Sequence, residues 1–287
     1  MEARLSQPSE GGLERSCADA GPTGRVAPGR VRLGSGAAGI ERLEARFLGQ
    51  AFSPHRHDTY AIGVTFVGVQ TFGYRGERRY CLPGQCHVLH PDEVHDGGAG
   101  TGEGFGYRIV YIDPALVQEA LGGKPLPFVA DPVIKGSALP AGFAAVWDID
   151  DDIDDIARTE IVVMIADMLV AASKDVKQSG SVRLAALSLV RDALAEQPAR
   201  QHSMDELERL AGLDRWTLAR QFRAAFGTSP GRFRTMRQLD RVRRLLRTGS
   251  ALADAAIDAG FADQSHMSRR FKSAYGLTPA RWVAAFA

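Results

Sequence analysis

Residues Leu252–Trp282 read LADAAIDAGFADQSHMSRRFKSAYGLTPARW. The stretch predicts a helix, a tight turn at Gly260 and a second helix. Ala255, Ala256 and Ala259 are small enough for close helix packing, and Phe261 can plug the corner between the helices. Asp263 stands at an N-cap position, where its carboxylate can accept from amides of the first turn. Met267, Phe271 and the Ala274–Tyr275 pair recur at helical spacing and give the second helix a buried stripe. Its opposite face carries Gln264, Ser265, His266, Ser268, Arg269 and Lys272, which can exchange hydrogen bonds with base edges and phosphates. This is the layout of a helix-turn-helix whose second helix enters a major groove. A helical hairpin with a solvated polar face would share it.

A second copy decides between the two. Leu218–Phe233, LARQFRAAFGTSPGRF, matches Met267–Trp282, MSRRFKSAYGLTPARW, with a constant offset of 49 positions. Arg220 pairs with Arg269, Phe222 with Phe271, Phe226 with Tyr275, Pro230 with Pro279 and Phe233 with Trp282. Upstream, Ala211-Gly212-Leu213 repeats as Ala259-Gly260-Phe261 with one extra residue in the second turn. Two copies are too few for a solenoid, so two helix-turn-helix units is the better reading.

The wording of Gly260–Trp282 resembles the signature of AraC/XylS-type transcriptional regulators, over roughly the last hundred residues. The resemblance implies two recognition helices, joined by a long linker helix, that read successive major grooves of double-stranded DNA. By position it assigns base-facing roles to Trp216, Ala219 and Arg220 in the first unit and to Ser265, His266, Ser268 and Arg269 in the second. Ala219 departs from the longer polar residue often found there; a methyl group reaches at most a thymine methyl.

Charge is distributed to match. Ser181–Ala287 carries 18 Lys+Arg against 10 Asp+Glu, whereas the preceding residues carry 17 against 24. A basic half beside an acidic half fits a nucleic-acid reader fused to something else. No run of about 18 apolar residues occurs, so no membrane span is expected, and no signal-peptide core is present. A cytoplasmic location is the expectation. Met1–Gly36 is rich in Gly, Pro, Ser and Arg without periodicity and is expected to be disordered.

Residues 37–113 read as β structure: Leu43–Leu48, Ala61–Tyr74, a hairpin turn at Arg75-Gly76-Glu77, Arg79–Leu82, Cys86–Leu89 and Tyr107–Ile112. Short strands punctuated by Gly and Pro suggest a small barrel or jelly roll. Five of the seven histidines fall here: His55, His57, His87, His90 and His95. SPHRHDTYAIG and LPGQCHVLHPDEVHDG resemble the two cupin motifs of AraC-type sensor domains. Enzymatic cupins carry a Glu shortly after their H-x-H; this chain has Asp58-Thr59-Tyr60 instead, which counts against a catalytic metal. His55 and His57, two apart on an extended segment, can face one side. With His95 they could present three nitrogens to a metal, line an effector pocket with Tyr60, or serve strand ends. Tyr60, Phe66, Phe72 and Tyr107 are candidate pocket walls or core. Cys81 and Cys86 match no zinc spacing and read as buried thiols; with Cys17 they make three, an odd count that argues against a disulfide framework.

From Pro114 the pattern turns helical. The acidic run Asp148–Asp155 lacks the Gly and closing Glu of a calcium loop and reads as a solvated helix start. Ile156, Ile161, Ile165, Met168 and Leu169 form a stripe for which pairing of two subunits is favoured over packing on the chain's own barrel. Residues 174–180 read as a linker. Val182–Leu194 is the first helix of the DNA-binding domain, Ser203–Glu206 a capping box and Asp214 the cap of the first recognition helix. Phe233–Arg247 is the linker helix, with Arg234, Arg237, Arg241, Arg243, Arg244 and Arg247 on its outer face, some expected to touch phosphates and others to pair with acidic neighbours such as Asp240.

The fold class is therefore α+β: a cupin-like barrel (37–113), a helical dimerisation segment (114–173) and an all-α domain with two helix-turn-helix units (181–287). The expected function is sequence-specific transcriptional regulation in response to a small-molecule effector, as a homodimer, with RNA polymerase a further candidate partner. No cofactor and no enzymatic activity are expected. The alternative is a metal-dependent cupin enzyme fused to a DNA-binding domain.

Overall fold

The computed structural model describes residues 30–173, 182–275 and 278–284. Its N-terminal half is built on two antiparallel sheets. The larger contains β1 (Arg30–Leu33), β2 (Ile40–Phe47), β9 (Phe105–Ile112), β4 (Tyr60–Gly68), β7 (Cys86–Leu89) and β10 (Val133–Ile134), in that spatial order. The smaller contains β3 (Gln50–His55), β8 (His95–Ala99), β5 (Gln70–Tyr74) and β6 (Glu77–Cys81).

The larger sheet is buried on both faces, so β7 and β9 read as apolar runs rather than alternations. Side chains of β4 sort by period two. Tyr60, Ile62 and Val64 belong to the cluster under the helices, while Ala61 joins Phe52, Phe72, Tyr107 and Tyr111 between the sheets. Ala61–Tyr74, expected as one strand, is two: the chain breaks at Gly68, where φ is +67°, and passes to the other sheet. A Cβ on Gly68 would lie 2.1 Å from the Gly104 carbonyl oxygen, so this crossing needs glycine. The pattern reading missed β3 and β8; β8 is HDGGA, a segment without β propensity that pairing with β3 and β5 holds extended. Arg30–Leu33, within the segment expected to be disordered, pairs with β2; residues 1–29 lie outside the described part, as do Cys17 and linker residues 174–180.

Helix α1 (Pro114–Ala120) follows β9, and single 3₁₀ turns at Gly136–Ala138 and Phe143–Trp147 lead to α2 (Asp155–Ala172). Ile161, Ile165, Met168 and Leu169 pack into the core above the larger sheet, so this part of the expected dimer stripe belongs to the chain's own barrel. Ile156 stays exposed, and with Val163 and Val170 it forms a different, solvent-facing line at seven-residue spacing. The acidic run is not merely solvated. Asp154 caps α2, accepting from Ala157 N at 2.8 Å, while Asp150 pairs with Arg32 and the Asp151 carbonyl accepts from the buried Arg42.

The C-terminal half comprises α3 (Leu184–Glu196), α4 (Met204–Ala211), α5 (Arg215–Phe226), α6 (Pro230–Arg247), α7 (Leu252–Asp258), α8 (Gln264–Tyr275) and α9 (Pro279–Ala284). It has two cores. One joins Leu187, Leu207, Leu218, Phe222, Phe226 and Phe233; the other joins Leu239, Val242, Ala255, Phe261, Met267, Phe271, Tyr275 and Trp282. Helix α6 contributes to both. The sequence repeat is also a packing repeat: Phe222 meets Phe226 at 4.7 Å between centroids and Phe233 at 5.8 Å, and Phe271 meets Tyr275 at 4.6 Å and Trp282 at 5.9 Å. Edge-on aromatic triads thus fill both units in the same way. Gly260, at φ +83°, lets Phe261 bury itself, and its missing side chain admits the backbone of Ala199.

Candidate nucleic-acid interface and sensor mouth

Helices α5 and α8 follow the turns of the two units, and both are started by aspartate caps. Asp214 accepts from Trp216 N and Thr217 N at 3.1 and 3.0 Å; Asp263 accepts from His266 N at 2.6 Å. The Ser203 box is half made: Ser203 Oγ accepts from Glu206 N at 3.1 Å, but the Glu206 carboxylate pairs with Arg200 at 2.7 Å. With Leu218 and Phe222 inside, Trp216, Ala219 and Arg220 lie on the exposed side of α5, Trp216 at 71% exposure. Arg220 donates to Thr217 Oγ1 at 3.3 Å, one turn back on the same helix. On α8, Gln264, Ser265, Arg269 and Lys272 are exposed and Ser268 is half-buried. His266 is half-buried, its ring edge-on to Phe261 and its Nε2 accepting from Arg270 Nε at 3.3 Å; a DNA contact would have to draw on this pair.

The linker-helix arginines divide. Arg237 and Arg243 are not on the solvent side: Arg237 pairs with Asp58 of the barrel, and Arg243 lies 3.4 Å from Asp240 with its guanidinium over Tyr275. Burial pulls both guanidinium pKa values down, but the surrounding carboxylates and Tyr275 more than offset it and hold them above the ordinary value. Arg234 donates to the Pro198 carbonyl at 2.9 Å. Arg241, Arg244 and Arg247 remain exposed. Hydropathy spacing could not separate these groups, because the partners of the buried arginines lie on the far half of the chain or inside a neighbouring core.

Three of the four candidate effector residues converge. The His55 and His95 rings are 4.4 Å apart, His57 and His95 4.8 Å, and His55 and His57 6.2 Å, all buried. Tyr60 does not join them: it faces the helical side, where its hydroxyl donates to the Pro127 carbonyl at 3.2 Å. Tyr111, unremarked by motif, packs edge-on to His57 at 5.2 Å. Each imidazole is oriented by a nearby carbonyl: His55 Nδ1 to Ser53 O at 2.8 Å, His57 Nδ1 to Thr59 O at 3.0 Å, His95 Nδ1 to Glu93 O at 2.9 Å. These carbonyls place the proton on Nδ1 and leave Nε2 as an acceptor. His57 Nε2 is buried without a hydrogen-bond partner. Burial depresses all three pKa values, that of His57 to about 3, with His55 adding to the effect. Among the described residues, no three His, Cys, Asp or Glu groups are assembled for a metal ion. Asp58, where enzymatic cupins have their Glu nearby, turns away to Arg237. Cys81 and Cys86 are buried free thiols.

The DNA-binding half seats on the rim beside this cluster. The β3–β4 loop (residues 56–59) offers Asp58, and the β7–β8 loop (residues 90–94) offers Asp92, which pairs with Arg232 of α6 at 2.5 Å and accepts from Thr228 at 3.2 Å. Pro91 packs against Gly227, and Leu126 N donates to Ala224 O at 2.8 Å. Two cavities lie along the joint. One of about 310 Å³ is lined by Ile40, Tyr111, Phe233, Met236 and Arg237 among others; a smaller one of about 110 Å³ reaches His57 from Arg232 and Arg270.

A barrel joined to two helix-turn-helix units that present matching arginines defines a DNA-binding protein with a sensor domain. Residues 37–162 match the AraC-like ligand binding domain and residues 207–285 a helix-turn-helix domain; the chain belongs to the AraC-type transcriptional regulators. The HTH-type transcriptional regulator YbfI of Bacillus subtilis is 26% identical over 79% of this chain and 86% of its own length. The HTH-type transcriptional activator RhaS of Yersinia pestis is 26% identical over 83% of this chain and 91% of its own. In three dimensions the chain resembles ToxT of Vibrio cholerae, solved bound to a naphthalenyl butenoic acid, with a TM-score of 0.58, 10% identity, and coverage of 92% of this chain and 100% of ToxT. The described helices include none long and apolar enough to cross a membrane.

Proposed function

We propose that this regulator reads its operator mainly through Arg220 and Arg269, and that a small molecule bound at the barrel mouth controls that reading. The observation that carries the first part is the pair of arginines at equivalent positions of two like-packed units, both exposed. A guanidinium can bond O6 and N7 of guanine together, worth about 1–3 kcal/mol of discrimination. Trp216, Gln264, Ser265, His266, Ser268 and Lys272 complete the surface, with Lys272 suited to phosphate. The effector reading rests on His55, His57 and His95: neutral imidazoles with acceptor nitrogens suit a ligand that donates hydrogen bonds, such as a hydroxylated molecule. ToxT, solved with bound carboxylic acids, supports a ligand-responsive role for the architecture. The relatives are transcriptional regulators, which favours a non-enzymatic chain over the metal-dependent enzyme. The exposed line Ile156, Val163 and Val170 is the candidate homodimer face; the cytoplasm is the matching location, and RNA polymerase a further partner.

The test is binding of full-length protein to a duplex selected from random sequence and to an unrelated duplex. Arg269→Ala should weaken the selected duplex about 5- to 150-fold, the equivalent of 1–3 kcal/mol, with a much smaller loss on the unrelated one. Equal losses on both would assign Arg269 to phosphate alone.

A further inference from the structure

Helix α6 is fastened to the barrel by charge. Arg237 sends Nη2 to Asp58, 179 positions away in the chain, and to Asp240 one turn on at 3.2 Å. Asp240 accepts from the Tyr275 hydroxyl at 3.3 Å. Tyr275 is fully buried against Phe271 in the core that supports the second recognition helix. Contacts therefore run without a gap from the residue beside His57 to the packing behind α8. The Arg232–Asp92 pair ties the same helix to the second loop of the mouth.

These are not ordinary surface pairs, which hold little in place. The carboxylates of Asp58 and Asp92 are only 11% and 9% exposed; Arg237 is 29% exposed, whereas Arg232 is half exposed, so Arg237–Asp58 is the withdrawn pair. Charges withdrawn this far are costly when one partner is removed, because the other is left buried and uncompensated. The pair therefore sets orientation: any packed arrangement of the two halves that buried one of these charges without its partner is penalised. Arg237, facing the barrel, is withdrawn from any phosphate role.

We propose that Asp58 and Arg237 are the positioning pair of the DNA-binding half: through them, the backbone at His57–Asp58 sets where α6 and both recognition helices lie relative to the barrel. An occupant that moved His57 would move α6 by the same connection; that consequence rests on the effector reading above, whereas the pair itself does not.

The test uses the full chain with Cys17→Ser and spin labels at Leu48→Cys and Ile257→Cys, both exposed sites on opposite halves, and pulsed electron paramagnetic resonance to read the distance distribution. The parent should give one narrow distribution. Arg237→Gln and Asp58→Asn should each at least double its width, and the double variant should be no broader than either single one. Arg215→Gln, which breaks pairs within its own unit, should leave it unchanged. A narrow, unshifted distribution in both single variants overturns the proposal, even if their melting points fall, and so does a broad distribution in the parent. Should Arg237→Gln fail to fold, Arg237→Lys, which keeps the charge but loses the two-armed reach, must still broaden it. No DNA or effector is present, so failure of the operator or effector readings leaves this result standing.

Discussion

Acid should unfold this protein from the barrel outward. Burial depresses His57 to about 3 and His87 and His90 to about 4, with His55 adding to the effect on His57 and Arg75 to that on His90. In the unfolded chain these groups titrate near about 6.5. Between that value and the folded ones, the unfolded state binds more protons than the native state, so stability falls as pH falls through the window. At about 1.4 kcal/mol per pH unit, moving from pH 7.5 to 5.0 costs about 2 kcal/mol for each group and about 6 kcal/mol for the three. His55 and His95, also depressed, act in the same direction. That sum is comparable to the whole stability of an ordinary domain, about 5–15 kcal/mol. Urea unfolding followed by circular dichroism at pH 7.5, 6.0 and 5.0 measures it. His87→Leu sharpens the test, because His87 Nδ1 has no hydrogen-bond partner to lose and the ring sits between Phe72 and Tyr107. The variant should lose about 2 kcal/mol less stability across the same range. Stability that is flat from pH 7.5 to 5.0, or a variant with the parent's full slope, would refute the reasoning.

Val163→Glu on the exposed face of α2 should shift a homodimer to monomer in sedimentation equilibrium while leaving the melting point nearly unchanged; a dimer that persists with undiminished affinity removes this face from consideration. Gly260→Ala should destabilise the C-terminal half by at least about 2 kcal/mol in chemical unfolding, since it adds left-handed strain to a Cβ placed 2.5 Å from Ala199 Cα; a near-neutral effect would show that the turn can relax.

Much of the C-terminal half was legible in the chain itself. Local signals dominate there: caps at Asp214 and Asp263, glycines at turns, apolar residues at helical period and a repeat that checks one unit against the other. The barrel was legible only in outline. The cupin-like wording located His55, His57 and His95, but not β8, whose residues have no strand preference of their own, nor the division of Ala61–Tyr74 between two sheets. Tyr60 was grouped with the histidines by proximity in sequence, yet one residue of strand phase sends it to the opposite face.

Periodicity, caps and turn residues act over a few positions, and by themselves they determined two helix-turn-helix units, their exposed arginines and a β-rich segment ahead of them. What only the tertiary structure decided is everything that depends on partners far apart in the chain. An arginine on an amphipathic helix looks the same whether it meets a phosphate or a buried carboxylate. Arg237 is committed to Asp58, and α2 turns Ile161 and Ile165 to its own barrel, because packing distant segments together removes those groups from water, and no local pattern encodes which distant segment will arrive.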